Sequence, residues 1–367
     1  MLSFWEQQSL VKYDFAVVGA GIMGCSVAYE LRQKYPHASI VLLERGIFPT
    51  GASTKNAGFA CFGSPTEILS DIELLGEAKA LEIIAQRVEG LKILTERLND
   101  DLTGRTPYGG YELILNAPLS QETLAGLNEQ IWTLFGRPVF EDVTADIPKI
   151  GFQQVRQLVY CSPEAQIDSG KMMSNYRKLL LEQQVDIING AEVLHLYDHL
   201  LEVHNPATGS FTLSANRIFF CTNAFISETF PEMEIKPGRG QVILTNEIEN
   251  LPFKGSFHFE EGYYYFRNVG KRVLFGGGRN LDMEMETSTA LEPNERILSD
   301  LRTKLKEIIL PGHSFVIEQE WQGIMGFSVS KSPVIKQLNP YASYVMSCNG
   351  MGVALSPYIA RKVVSDL

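Results

Sequence analysis

At 367 residues, 45% hydrophobic and 20% charged, the chain is long enough for two domains with sizeable buried cores. Its 43 acidic against 32 basic residues give a formal charge of -11, a field that repels phosphate backbones and anionic lipid and so argues against nucleic-acid and membrane-surface partners. Cys25, Cys61, Cys161, Cys221 and Cys348 fall in no C-x-x-C or metal-ligand spacing and the six histidines form none, so free buried thiols, no disulfide and no metal are expected.

Met1 to Tyr13 lacks a basic stretch followed by an apolar one, and no apolar run reaches the roughly eighteen residues of a membrane helix. A cytoplasmic protein without a membrane span is expected. Asp14 to Val18 reads as a strand, Gly19 to Gly24 as a glycine-rich turn, Cys25 to Lys34 as a helix and Ile40 to Leu43 as a second strand ending at Glu44, which together make a β-α-β unit. From Ile68 to Leu98 apolar residues recur at three- and four-residue steps, as amphipathic helices outside that unit require. Ser120 opens another helix, and Ser169 to Gln183 forms one that leads to a strand at Asp186 to Ile188. Val193 to Leu196, Leu200 to His204, Phe211 to Ser214 and Arg217 to Cys221 predict a small meander beside a parallel sheet. Gln241 to Thr245, Tyr263 to Arg267 and Arg272 to Phe275 predict an antiparallel sheet. Glu292 to Leu310 reads as a helix stopped by Pro311, and Ser356 with Pro357 as the N-cap and first turn of a last helix.

Gly19-Ala20-Gly21-Ile22-Met23-Gly24 fits G-x-G-x-x-G between a strand and a helix. The first glycine permits the turn, the second lets backbone amides approach a pyrophosphate, and the third lets the helix pack closely. Glu44, with Arg45 after it, stands where a carboxylate accepts hydrogen bonds from a ribose diol, which fits NAD and FAD equally. The loop Gly51-Ala52-Ser53-Thr54-Lys55-Asn56-Ala57-Gly58 follows directly, with hydroxyls, an amide and glycine backbone able to wrap a pyrophosphate and a flavin edge.

This loop resembles the flavin-contact motif of the D-amino-acid oxidase superfamily, whose members include glycine oxidase, sarcosine oxidase and gamma-glutamylputrescine oxidase. The resemblance continues along the chain: Ile218 to Ala224 is similar to the strand ending beside FAD, Pro237 to Gln241 to the entry of the substrate domain, and Tyr263 to Gly278 to the flavin-facing strands. Trp321 to Met325 and Asn349 to Pro357 resemble the two C-terminal flavin-facing motifs. The resemblance implies an α/β fold with a Rossmann-like FAD-binding domain and a second α+β substrate domain on an antiparallel sheet. The first would take residues 1–85, 150–225 and 320–367, the second 86–149 and 226–319. It implies FAD contacts from Gly19, Gly21, Ile22, Met23, Gly24, Glu44, Arg45, Ser53, Thr54, Lys55, Asn56, Ala57, Gly58, Val193, Thr222, Asn223, Ala224, Gly323, Met325, Gly350, Met351, Gly352, Val353 and Ala354. The implied reaction is hydride transfer from a C–H bond alpha to nitrogen, in a small amine or amino-acid-like substrate, to flavin N5, with dioxygen one acceptor open to it. A flavin-dependent 2-hydroxy-acid dehydrogenase and a flavin-binding protein without turnover are the rival readings.

Tyr263, Tyr265 and Arg267 share one face by the period of two and, with Met325, are the pocket candidates; Arg239, Arg267 and Arg279 are candidates for a substrate carboxylate. The chain departs from the family pattern at several points. Met325 stands where amino-acid oxidases carry a carboxylate-gripping Arg, Ser330 where they carry Asp, Lys336 where they carry Gly, and Gly350 or Met351 where His or Arg is often found. Leu274 stands in the approximate place of an oxygen-activating Lys. No Cys adjoins Trp321 to Met325, where sarcosine oxidases attach flavin, so the FAD is expected to be non-covalent.

Overall fold

Phe15 to Val18 and Ile40 to Glu44 are buried throughout, the pattern of strands covered on both faces. In the computed structural model, which describes residues 2–328, 332–346 and 349–367, Lys12–Val18 runs parallel to Ile40–Glu44 on one side and to Gly209–Phe220 on the other. Ser330 and Cys348 lie outside the described residues. Asp186–Asn189 extends this parallel sheet beyond Ile40–Glu44, and Ala342–Met346 beyond Gly209–Phe220, with Val334–Gln337 antiparallel at the edge. The helices Ile22–Lys34, Ser169–Glu182 and Gly352–Ser365 bury one face; Leu200–Asn205, antiparallel to the first part of Gly209–Phe220, and Glu192–Tyr197, antiparallel to Leu200–Asn205 in turn, help cover the other.

A second eight-stranded sheet runs in the order Ile317–Phe327, Lys236–Thr245, Arg272–Gly277, Tyr264–Val269, Ser256–Phe259, Gly110–Ile114, Gln157–Cys161, Phe140–Asp142. It is antiparallel except where Ser256–Phe259 meets Gly110–Ile114. One face packs Ile243, Phe257, Phe266 and Phe275 against the Glu295–Lys304 helix. The other looks toward the first sheet. Among the described residues no helix is long and apolar enough to cross a membrane, and Cys25, Cys61, Cys161 and Cys221 are buried.

Several sequence expectations shift. The last helix begins at Gly352 rather than at Ser356, because Ala354 and Leu355 are good helix formers next to a turn; Pro357 lies inside it. Phe211 to Ser214 and Arg217 to Cys221 form one continuous strand, since both halves find partners, the first in the hairpin and the second in the parallel sheet. The Glu292 to Leu310 helix is regular only over Glu295–Lys304 and closes in a wide turn at Leu305–Ile309. The boundary expected at residue 85 falls inside the unbroken Glu77–Arg97 helix, which packs on Gly352–Ser365. Gln157–Cys161 and most of Ile317–Phe327 hydrogen-bond into the second sheet, although both were expected in the first unit.

Candidate active site

Backbone sterics build the site first. Gly19 has a φ of 100°, and a Cβ there would lie 2.8 Å from the Cys221 carbonyl oxygen; a Cβ at Gly24 would lie 1.8 Å from the Gly19 carbonyl oxygen. Turn and helix therefore meet at a distance only glycine allows. A channel opens here, lined by Gly19, Gly21, Ile22 and Met23, then by Glu44, Arg45, Ser53, Asn56 and Val193, and further on by Thr222, Asn223, Met325, Gly350, Gly352 and Val353. Glu44 Oε2 accepts the Ala20 N–H at 3.1 Å and Oε1 the Gly46 N–H at 2.9 Å, which fixes the carboxylate and leaves lone pairs for a diol. Ser53 Oγ accepts the Ile22 N–H at 2.9 Å and keeps its own proton to donate.

Two helix N-termini, those of Ile22–Lys34 and Gly352–Ser365, open on the channel. Their N-caps, Gly21 and Met351, supply no side-chain cap, so first-turn amides face it with partial positive charge. Thr222 Oγ1 and Asn223 Oδ1 are buried there without a hydrogen-bond partner among the described residues. A carboxylate at one end, two amide-rich helix ends and orphaned polar atoms between them suit FAD: the set could hold a ribose diol, a pyrophosphate and an electron-rich ring edge.

The second sheet closes the far end. In its register Met325 faces Gly238, Gly323 faces Gly240, and Tyr265 lies between Gly276 and His258, so these residues share the face toward the channel. Three hydrogen bonds pin the Ile317–Phe327 strand to the first unit: Trp321 Nε1 donates to Lys55 O at 3.0 Å, Asn223 Nδ2 to Ile324 O at 3.2 Å, and the Asn349 N–H to Gly326 O at 3.0 Å. Tyr265 is half-buried, and its hydroxyl finds no partner among the described residues; burial pushes the phenol up to about 12.

Other expected residues serve as scaffold. Arg267 is buried, and its Nη1 donates to Gly58 O and Ile167 O, both at 2.6 Å, and to Ala57 O at 3.3 Å. Its Nε also donates to Asn268 O at 3.2 Å, which makes it a strut for the loop after Glu44. Arg239 is paired with the fully buried Glu286 at 2.8 Å. Tyr263 precedes its strand at a turn and is exposed, so it does not share the Tyr265 face. Arg279 differs from both other arginines in having neither an ion pair nor a side-chain hydrogen bond among the described residues: its guanidinium lies over the Phe327 ring at 4.1 Å, beside Gly238. Thr54 bonds the Pro49 carbonyl, Ala224 is fully buried, Ala354 packs against Gly90, and Met351 Sδ lies 3.9 Å from Cys61 Sγ. Sequence reasoning missed Phe225 and Glu228, which line the channel by holding Arg45, the ring at 4.1 Å and the carboxylate at 2.9 Å. No local signal marks a contact between such distant positions.

The geometry agrees with comparisons to known proteins. A family model described as FAD dependent oxidoreductase (DAO) matches residues 14–366. A probable oxidoreductase, OrdL of Haemophilus influenzae, is 21% identical, with 96% of this chain and 82% of that protein covered. L-proline dehydrogenase from P. horikoshii superposes with a TM-score of 0.75 at 13% identity, covering 97% of this chain and 93% of that one. Glycine oxidase from Geobacillus kaustophilus gives 0.73 at 17% identity, covering 97% and 94%. At such identities the likeness to these structures is one of fold.

Proposed function

Because the chain belongs to the DAO family of FAD-dependent oxidoreductases, we propose that it oxidises a C–H bond alpha to nitrogen in a small amine or amino-acid-like substrate, with FAD held non-covalently in the channel between Glu44 and Gly350. Bound there, FAD supplies the hydride acceptor, N5. Glu44 takes the ribose diol; the Met23 amide and the Ser53 hydroxyl take the pyrophosphate. The first-turn amides of Gly352–Ser365 stabilise negative charge at the pyrimidine edge.

The observation that carries the substrate class is the face formed by Tyr265, Met325 and the glycines opposite them. An amine releases hydride as the neutral base, and an apolar wall disfavours its ammonium form. The Tyr265 hydroxyl, protonated up to about 12, offers one oriented hydrogen bond. That relatives in fold are named for glycine and L-proline oxidation supports a nitrogen donor. Because Tyr265 keeps its proton throughout the working range, the rise of flavin reduction with pH follows the substrate ammonium. Tyr265→Phe is expected to slow reduction about tenfold, the worth of one hydrogen bond, without moving the midpoint of the pH–rate curve.

Arg279 remains as the carboxylate partner for an amino-acid-like donor. Arg279→Leu is expected to raise the KM of carboxylate-bearing donors about 10- to 100-fold, the range of a charge-assisted pair, and to leave simple amines unchanged. Steady-state rates with both donor types check this, and equal KM values in variant and parent would remove the amino-acid-like arm. The reading as a whole is tested by mixing purified protein anaerobically with primary amines, N-methyl amino acids, D-amino acids and 2-hydroxy acids. Bleaching of the flavin band by a nitrogen donor is expected; bleaching by 2-hydroxy acids alone overturns it.

A further inference from the structure

Cys61, Glu164 and His258 come from three separate parts of the chain and meet in its interior. Cys61 follows the Phe59–Ala60 strand, Glu164 lies in the turn between Gln157–Cys161 and Ala165–Gln166, and His258 stands opposite Tyr265 in the second sheet. They are 6%, 2% and 5% exposed, and their donor atoms all lie within 4.8 Å of one another. His258 Nε2 is 3.8 Å from Glu164 Oε2 and has no hydrogen-bond partner among the described residues. The Phe62 N–H donates to Glu164 Oε1 at 3.3 Å, which leaves Oε2 for the imidazole side. The space that Oε2 fills exists because residue 110 is glycine: a Cβ there would lie 1.9 Å from it.

A thiol sulfur, an imidazole nitrogen and a carboxylate oxygen that converge in a dry interior, the nitrogen orphaned, are a metal-ligand set. The geometry points to a divalent metal site formed by Cys61, Glu164 and His258, and its mixed sulfur, nitrogen and oxygen donors select zinc. Zinc holds such donors at about 2.0–2.3 Å, which puts tetrahedral neighbours about 3.3–3.8 Å apart. The imidazole nitrogen and carboxylate oxygen, 3.8 Å apart, need to close by about 0.4 Å and the widest pair by about 1 Å, within reach of side-chain torsions. A dication with one thiolate, one carboxylate and a neutral imidazole sums to zero charge, the state an apolar interior tolerates. The thiol and carboxyl protons leave as the ion enters. Before that, burial and neighbouring Glu67 hold Glu164 up to about 8 and raise the Cys61 thiol well above its usual range, while burial keeps His258 neutral down to about 4.

The site is separate from the cofactor channel, which none of the three ligands lines. It borders it at two points: Met351 Sδ is 3.9 Å from Cys61 Sγ, and the Phe59 ring stands edge-on to both His258 and Tyr265, at 5.0 and 6.1 Å. Three protein ligands leave a fourth coordination position open. Sequence spacing gives no sign of such a set, because no two of its members are near neighbours in the chain.

The test uses the FAD-loaded protein, stripped with a chelator and titrated with Co2+ and then Zn2+. One equivalent of Co2+ is expected to bind and produce tetrahedral cobalt absorption to the red of the flavin bands, and Zn2+ to displace it. Cys61→Ser and His258→Gln are each expected to weaken Zn2+ binding about 100-fold or more and to abolish the cobalt band while the flavin spectrum stays that of the parent. Glu164→Gln, which keeps the Phe62 contact, provides a third variant should either of the others fail to fold. Absence of stoichiometric uptake by the parent, or uptake that the folded variants retain, overturns the proposal. Neither readout depends on turnover, so the outcome is independent of the substrate assignment.

Discussion

Gly24→Val is expected to yield protein whose visible spectrum lacks bound flavin. The Cβ itself, not the end of a flexible side chain, would sit 1.8 Å from the Gly19 carbonyl oxygen and 3.1 Å from its carbon, so no rotamer relieves the clash. The Ile22–Lys34 helix has to move off the turn. Gly19 cannot follow, because its φ of 100° and its contact with Cys221 hold it against the neighbouring strand. Helix displacement takes the Met23 amide, and the Ser53 hydroxyl that the Ile22 N–H holds, away from where they would meet the pyrophosphate. A loss on the order of 4 kcal/mol corresponds to roughly 1,000-fold weaker FAD binding, read by titrating apoprotein and following flavin fluorescence. Gly126, inside the Gln121–Gln130 helix, has nothing within 4 Å of a Cβ, and Gly126→Ala should keep the flavin and add about 1 kcal/mol of stability. Flavin retained at parental affinity in Gly24→Val would show that this turn does not carry the cofactor.

Arg239→Met should be the most destabilising single change in the second sheet, by about 3–5 kcal/mol. Glu286 is fully buried and receives Arg239 through both Nε and Nη2; Gln241 and Asn294 add one neutral donor each, at 3.0 and 2.9 Å. With the guanidinium gone, a carboxylate stays inside with amide donors only. The carbonyls of Met285 and Ala290, which also accept from Arg239, lose their partner as well. Urea unfolding measures the loss, and Arg239→Met combined with Glu286→Leu should recover a large part of it, since the stranded charge, not the missing pair, dominates the cost. If the single variant unfolds at the parental urea midpoint, the pair contributes nothing to this fold.

The two arginines that sequence pattern offered as substrate ligands show how far a one-dimensional reading reaches. Arg239 and Arg267 carry the right chemistry for a carboxylate, yet one meets Glu286 and the other four backbone carbonyls, so of the three Arg279 is left with no ion pair or side-chain hydrogen bond among the described residues. Tyr263 and Tyr265 likewise have the spacing of one strand face. The turn at Glu260 to Tyr263 starts the strand one residue later and leaves Tyr263 in solvent.

What the sequence by itself determined was the first β-α-β unit: the strand, the Gly19 to Gly24 turn, the helix and Glu44 lie consecutively in the chain and line one channel. Their arrangement rests on backbone contacts and glycine sterics within one short unit, so composition and spacing suffice to read it. Only the tertiary structure decided where the last helix starts, which arginine stays free, how Arg45 is held by Phe225 and Glu228, and that Cys61, Glu164 and His258 share one buried point. These are side-chain encounters between segments far apart in the chain. Each is fixed by the register of two sheets against one another, and no local pattern of residues encodes that register.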